Sequence, residues 1–461
     1  MDSVTLYPFQ EEGVAQLLQR RCVLFGDEMG LGKTVQSAVA IKRLFQQGAI
    51  HRVLVVCPSS LCRNWRKELR TWVPEIPAVI YEGGDRHGML FGNAKILIGS
   101  FETVAMDLSR PTFEGRVYCD PGFDLLILDE AHRIKDAKSN KALILCAVLA
   151  ARRWALTGTP LENHPSELAS ILRFLNPNEF MEDDALQDES LLLKYRDLCL
   201  FRRTKQQVGL QLPPKRVITI NVALSPSQAS EYENTLMTLR ENLSAVTDLR
   251  AMAGLLLSGL QALRRIAVIA SDGESSKLDL LDDEVAELIE RNEKVVVFST
   301  FANLVLPAVQ QRLGKYGAVS YTGSMSVEER ELSHKQFLED PNVMVMCASL
   351  RAAGVGLTWV VAVNVYHLDL WWNPQAMRQA EDRVHRIGQT QNVLVRRLIS
   401  EDTVEDGIAT LQQVKQDIFD LIINESPTGT EAPKDMNDLL SLIGLKLGAS
   451  GHSVQLDQTP M

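Results

Sequence analysis

Apolar and polar positions alternate along the first 175 residues in a pattern that predicts strands separated by helices. Apolar runs within 22–25, 52–61, 95–100, 123–128 and 154–160 have the length of buried strands. Helical stretches lie between them, and that alternation describes a doubly wound parallel sheet. From 165 to 200 the pattern turns helical and acidic and reads as a surface insertion. Phe201-Arg202-Arg203-Thr204-Lys205, then Leu212-Pro213-Pro214-Lys215, marks the exit from the first domain, with the proline pair as a hinge. Residues 225–290 read as mostly helical around a loop at 271–276. A second set of strands is predicted within 294–299, 318–323, 342–347 and 362–368, with no phosphate loop of its own.

The fold class expected is therefore α/β, with two doubly wound parallel-sheet lobes and helical insertions. The expected boundaries are a first lobe over 1–210, a hinge and helical insertion over 211–290, and a second lobe over 291–420. A tail over 421–461 carries a short apolar brace at 439–445 and no order from 447 onward.

Composition narrows the class without naming a function. A chain of 461 residues exceeds what one core usually supports. No apolar run approaches the roughly 20 residues of a spanning helix, so no membrane association is expected. Residues 1–8 lack a basic region followed by an apolar core, so no secretory signal is read there. The 7 cysteines form no Cys-x-x-Cys pair and the 8 histidines no ligand cluster, so zinc is not expected. Reduced thiols in a cytoplasmic (bacterial or viral host) or nuclear setting are the default. The net charge of −10 argues against a blanket nucleic-acid binder but leaves room for a local basic groove.

The chemistry centres on Asp27-Glu28-Met29-Gly30-Leu31-Gly32-Lys33-Thr34, between a strand and a helix. Gly30 and Gly32 let backbone N–H groups approach phosphate oxygens, Lys33 brings charge to the β/γ-phosphates, and the Thr34 hydroxyl suits Mg²⁺. Asp27 stands where the strict phosphate-loop pattern has glycine, and it is counted in the ATP-binding set. The strand at 123–128 runs straight into Asp129-Glu130-Ala131-His132. Acidic residues at a strand's carboxyl end suit Mg²⁺ (Asp129) and activation of the attacking water (Glu130). Gln10 suits the adenine edge, and equally an ordinary helix surface. Ser59, Ser60 and Ser100 follow strands and suit either polynucleotide phosphates or plain helix capping. In the second lobe Arg383 and Arg386, at i and i+3 on one helix face, suit a transferring phosphoryl group. Gly356, in a glycine turn, and Gln379 complete the ATP-binding set. Trp371-Trp372 reads as packing rather than base stacking.

Taken together, DEMGLGKT (27–34), CPSSLCRNW (57–65), DEAH (129–132), LTGTP (156–160), GVGLT (354–358), WNPQ (372–375) and QAEDRVHRIGQ (379–389) resemble the Snf2 family of superfamily 2 ATPases. The resemblance covers about residues 5–410. It implies two RecA-like lobes with ATP and Mg²⁺ between them and double-stranded DNA crossing both. It also implies Lys33 and Thr34 as the phosphate and Mg²⁺ residues, Asp129 and Glu130 as the acidic pair, Arg383 and Arg386 as arginine fingers, and Gln10 as the adenine reader. Ala353 stands where many relatives have glycine. The last motif is similar in wording to the annealing-helicase, fork-remodelling branch and to bacterial or viral Snf2-like helicases.

The expected function is an ATP-dependent double-stranded DNA translocase or remodeller, a DNA-dependent ATPase. It is expected to act as a monomer, with little sequence preference and with further protein modules supplying targeting. Two alternatives stand beside it: a strand-separating or annealing helicase on DNA or RNA, and a nucleotide-gated scaffold without productive hydrolysis.

Overall fold

The computed structural model describes residues 5–84, 86–109, 121–134, 136–158, 165–180, 189–210, 212–246, 248–353 and 357–410. Beyond these it describes 412, 440, 443, 445–447 and 454–456. It divides into two units, Met1–Gln211 and Leu212–Met461.

In the first unit the strands are β1 (Cys22–Phe25), β2 (Val53–Cys57), β3 (Ala78–Ile80), β4 (Ile96–Ser100), β5 (Leu125–Asp129), β6 (Arg152–Leu156) and β7 (Leu200–Phe201). Its helices are α1 (Pro8–Gln19), α2 (Lys33–Gln46), α3 (Cys62–Trp72), α4 (His87–Phe91), α5 (Phe101–Leu108), α6 (Asn140–Ala147), α7 (Pro165–Leu175) and α8 (Glu189–Cys199). The seven strands form one parallel sheet in the order β3-β4-β2-β5-β6-β1-β7. Strands β2, β4 and β5 are buried along their whole length, as parallel strands covered on both faces must be. Five of these strands match the apolar runs. The edge strands β3 and β7 were not anticipated, because three or two residues leave too short a pattern to read.

Register sets the site. Phe25 and Asp129 both lie abreast of Leu156. The chain therefore leaves β1, β5 and β6 at one level on the carboxyl edge of the sheet, where open α/β sheets gather ligand-binding loops.

The second unit contains β8 (Lys215–Val222), β9 (Lys294–Ser299), β10 (Ala318–Tyr321), β11 (Val345–Ser349), β12 (Ala362–His367) and β13 (Val393–Ser400), a parallel sheet in the order β10-β11-β9-β12-β13-β8. Its helices are α9 (Pro226–Ala245), α10 (Leu249–Val268), α11 (Ser276–Glu290), α12 (Val305–Arg312), α13 (Val327–Glu339), α14 (Leu350–Ala353) and α15 (Pro374–Glu381). Two of these strands were not among the apolar runs read from the sequence, β8 in the segment taken as hinge and β13 inside the expected second lobe. The segment after the prolines is not only a hinge: β8 pairs along its length with β13 and closes the sheet edge. Neither strand reads as apolar, because Arg396 and Arg397 interrupt β13 and most of β8 is exposed.

Helices α9 and α10 form an apolar cluster with Leu440 and Ile443, and Arg240 Nε donates to the Ile443 carbonyl at 2.8 Å. The expected brace thus docks on this unit. Farther along, residues 445–447 and 454–456 pair as antiparallel strands, where no order was expected. Within α10, Ala251–Val268 is long and apolar enough to cross a bilayer by length and composition, which the run-length reading had not counted. Arg264 interrupts that stretch. Its guanidinium is fully buried and donates to Asp369 Oδ2 at 3.3 Å and to the Leu370 carbonyl at 2.6 Å. It also lies 5.3–5.4 Å over the rings of Trp371, Trp372 and Phe301, so the two tryptophans pack around a cation.

Candidate nucleotide site

Strand β1 ends in a loop that needs two left-handed glycines, Gly30 at φ 90° and Gly32 at φ 80°, before α2 begins at Lys33. Gly32 is the N-cap of α2 and has no side chain to accept from the helix's free N–H groups. Those donors are left for a ligand, and an anion suits them. Lys33 Nζ folds back to donate to the Asp27 carbonyl at 2.7 Å, so its ammonium lies inside the loop.

The Asp27 carboxylate turns the other way. It is fully buried and takes Arg203 Nε at 3.2 Å and Nη2 at 2.7 Å, together with the Arg203 backbone N–H at 3.1 Å. Gln36 Nε2 donates to the same carboxylate at 3.3 Å and to the Leu31 carbonyl at 3.0 Å. Arg203 also reaches the Phe9 carbonyl at 2.6 Å and stacks 4.6 Å over Phe201. Asp27, counted in the ATP-binding set, presents its carbonyl and not its carboxylate to the lysine. Its side chain braces the loop from behind, and only its backbone faces Lys33. Gln10 is buried, donates to the Leu31 carbonyl at 3.2 Å and accepts from the Tyr7 N–H at 3.1 Å. Its amide is held against the loop rather than lying on a helix surface.

Asp129 is buried at the end of β5. Trp65 Nε1 donates to its Oδ2 at 2.7 Å, and the Glu130 N–H donates to its Oδ1 at 3.0 Å. Burial pushes its carboxyl up to about 6, and the Glu130 charge pushes the same way, against Trp65 and Lys33. Glu130 holds φ at 55°, a backbone conformation that costs a non-glycine residue energy and recurs at functional sites. Its Oε2 is buried without a hydrogen bond and lies 3.4 Å from His132 Nδ1. A buried carboxylate oxygen with unused acceptor capacity is what a general base toward water requires. Gly158, just past β6, closes over the loop: a Cβ there would stand 2.4 Å from Met29 Cγ and 3.3 Å from Lys33 Nζ.

Among the DNA-contact candidates, Ser100 is an N-cap. Its hydroxyl accepts from the Thr103 N–H at 3.1 Å, donates to Thr103 Oγ1 at 2.8 Å and is buried, which corrects the phosphate-contact reading in favour of capping. Ser59 and Ser60 are exposed on a 3₁₀ turn leading into α3.

In the second unit α15 ends at Glu381, so Arg383 and Arg386 lie in the turns beyond it, not on a helix face. Arg383 is buried, and its carbonyl accepts from the Trp359 N–H at 2.7 Å. Arg386 donates to the Leu357 carbonyl at 2.9 Å and Thr358 Oγ1 at 2.8 Å, joining the GVGLT and QAEDRVHRIGQ segments. Gln389 ties the same turn down through the Val360, Ala362 and Val384 carbonyls. Gln379 is half-buried on α15, and Gly356 lies outside the described residues.

Sequence reasoning passed over Trp65, Arg203, Gln36 and Gly158. Trp65 and Gly158 lay inside the motifs CPSSLCRNW and LTGTP but had no role read for them, and Arg203 matters through Asp27, 176 positions away.

A glycine-built anion cradle with an inward lysine, beside a buried acidic pair on the same sheet edge, defines the first unit as a phosphate-loop nucleotide-binding lobe. The chain belongs to the SNF2-related family: residues 9–269 match the SNF2-related domain and 276–388 the helicase conserved C-terminal domain. It is 30% identical to the putative ATP-dependent helicase/translocase YwqA of Bacillus subtilis, over 95% of this chain and 51% of that protein. It is 31% identical to the human SWI/SNF-related matrix-associated actin-dependent regulator of chromatin subfamily A member 1, over 87% of this chain and 42% of that protein. The solved Sulfolobus solfataricus SWI2/SNF2 ATPase core in complex with dsDNA is 27% identical, with a TM-score of 0.43, over 92% of this chain and 94% of that one. The chain spans about half, or less, of the length of these curated relatives.

Proposed function

We propose that this chain hydrolyses ATP to drive movement along double-stranded DNA, as the motor part of a translocase or remodeller. The observation that carries the reading is the row at the carboxyl edge of the first sheet: the Lys33 cradle after β1, and Asp129 and Glu130 after β5, with β6 between the two strands. The cradle N–H groups and Lys33 hold the phosphates, and Glu130 orients the attacking water and takes its proton. The donor set fits Mg²⁺. Each Asp129 oxygen has one lone-pair direction taken and another left, and the Thr34 hydroxyl is half-buried at the start of α2. Asp129 and Thr34 would hold the ion, which when bound neutralises phosphate charge. Gln10 and Gln379 are assigned to ATP, and Arg383 and Arg386 to the charge that develops on the γ-phosphate.

Duplex DNA as the track accords with relatives named as helicases, translocases and chromatin factors. Ser59 and Ser60 are the proposed backbone contacts, which carry little sequence information. A cytoplasmic or nuclear setting, monomeric action and targeting by further modules go with this reading.

The test measures ATPase rate without nucleic acid and with single-stranded DNA, duplex DNA or RNA. Duplex is expected to stimulate most, and Lys33→Ala and Glu130→Gln to abolish the rate. Glu130→Gln should keep ATP binding. Equal rates with every additive would sink the motor reading, and efficient strand displacement would favour the helicase alternative.

A further inference from the structure

Helix α3 has two faces with different chemistry. Its inner face buries Cys62, Trp65 and Leu69. From that face the fully buried Trp65 sends its indole N–H 2.7 Å to Asp129 Oδ2. The adjoining Glu130 N–H donates to the other oxygen, Oδ1, at 3.0 Å, so Trp65 holds Asp129 from a second element, α3. The outer face carries Arg63, Arg66, Lys67 and Arg70, all exposed. Positions i, i+3, i+4 and i+7 share one helix face, and these four side chains with Thr71 line one open depression.

Like charges at this spacing repel one another, and among the described residues Arg66, Lys67 and Arg70 have no carboxylate partner in an ion pair. In a chain of net charge −10, such a stripe is a local exception that a polyanion would relieve. The exposed Ser59 and Ser60 lie on the 3₁₀ turn that leads into the same helix. Regularly spaced phosphates suit that basic stripe better than the irregular charges of a folded protein partner.

We propose that α3 is a relay: its outer Arg66-Lys67-Arg70 stripe seats the phosphate backbone of duplex DNA, and Trp65 on its inner face passes that seating to Asp129. Trp65 is a positioning residue in this scheme. Its N–H orients the carboxylate, and displacements of about 1 Å at such a contact can change rates on the order of 100-fold. DNA on the stripe fixes the helix, and the fixed helix holds Asp129 in its working orientation. The inference rests on the DNA-stimulated ATPase reading above and adds to it a surface and a route.

The test uses the full chain in an ATPase titration with duplex DNA. Arg66→Ala/Lys67→Ala/Arg70→Ala should melt like the parent, yet need on the order of tenfold more duplex for half-maximal stimulation. The salt slope of its DNA binding should be shallower by about three. Replacing Trp65 with 3-benzothienyl-alanine, which keeps the ring shape and removes the N–H, should give the complementary result. The half-stimulating duplex concentration stays, while the ratio of stimulated to basal rate falls on the order of tenfold. A triple variant that titrates like the parent overturns the stripe. A Trp65 replacement that lowers basal and stimulated rates in equal proportion overturns the relay, since that is what a merely structural tryptophan would do. Polyglutamate that displaces duplex from the parent as well as competing DNA does would also overturn the assignment of the stripe. A parent chain that duplex does not stimulate fails the motor reading itself, which separates the two failures.

Discussion

At the scale of single residues, the site depends on charges kept out of water. Asp27 and Arg203 are joined 176 positions apart in sequence by a buried two-point ion pair behind the phosphate loop. Taking one partner away strands the other in a low-dielectric interior, which typically costs 3–5 kcal/mol, whereas an exposed pair contributes little. Arg203→Met is therefore expected to lower stability to urea by about 3–5 kcal/mol and to abolish ATP binding, both measurable on one preparation. Asp129 makes a second prediction. Its carboxyl lies raised to about 6, so it is ionised above that pH and neutral below it. The acid limb of kcat/KM for ATP, which reports the free enzyme, should fall near pH 6. A limb near pH 4, where an exposed aspartate titrates, would refute the buried setting of Asp129.

At the scale of elements, the fit between the loop after β1 and the turn after β6 determines whether the cradle stays open. Gly158 is the close approach, with Met29 Cγ where its Cβ would go. Gly158→Ala should weaken ATP binding on the order of tenfold, about 1.4 kcal/mol, by pushing Met29 and Lys33 aside. Met29→Ala added to Gly158→Ala should recover most of it in a titration with a fluorescent ATP analogue, because the two positions share one contact. Helix boundaries behave differently from such contacts. The α9 and α11 starts were readable in outline, and Ser225 and Ser275 cap them in the ordinary way; the start of α10, capped by Asp248, was not read. The end of α15 was not readable. QAEDRVHRIGQ has no proline or glycine between Glu381 and Gly388 to mark a stop, and the chain departs from the helix as Gln389, Arg386 and His385 find backbone carbonyls elsewhere.

At the scale of the whole molecule, each unit has its own sheet and core, so calorimetry is expected to resolve two transitions rather than one. The second should carry a pH signature. His367 is buried 3.4 Å from Glu381, and burial lowers its pKa below the usual value. The unfolded chain takes a proton near pH 6.5 and the folded unit does not, so this histidine makes stability fall as pH drops through 6.5, by up to about 1.4 kcal/mol per unit. For Glu381 burial alone would raise the pKa, but His367, Lys215 and Arg397 outweigh it and hold it well below the usual range. Its contribution is present above about pH 4.5 and is lost only in stronger acid. Glu405, raised by burial, slopes the other way, so comparison of variants is needed. His367→Gln should flatten the dependence of the second transition between pH 7.5 and 5.5, roughly one pKa unit either side of an ordinary histidine. An unchanged slope would refute the histidine's part.

By itself the sequence determined the two-sheet class, most central strands, the glycine cradle and the acidic pair. Each of these is written locally, in an apolar run, a positive-φ glycine or a strand end. Tertiary structure alone decided that Asp27 faces Arg203 instead of a ligand, that Trp65 holds Asp129, that Ser100 caps a helix, and that β8 and β13 belong to the second sheet. Those outcomes are settled by which distant group fills a buried hydrogen bond or an edge position. Because an unmet polar group is costly only once water has been excluded, that choice is made in the folded core and leaves no mark on the neighbouring residues.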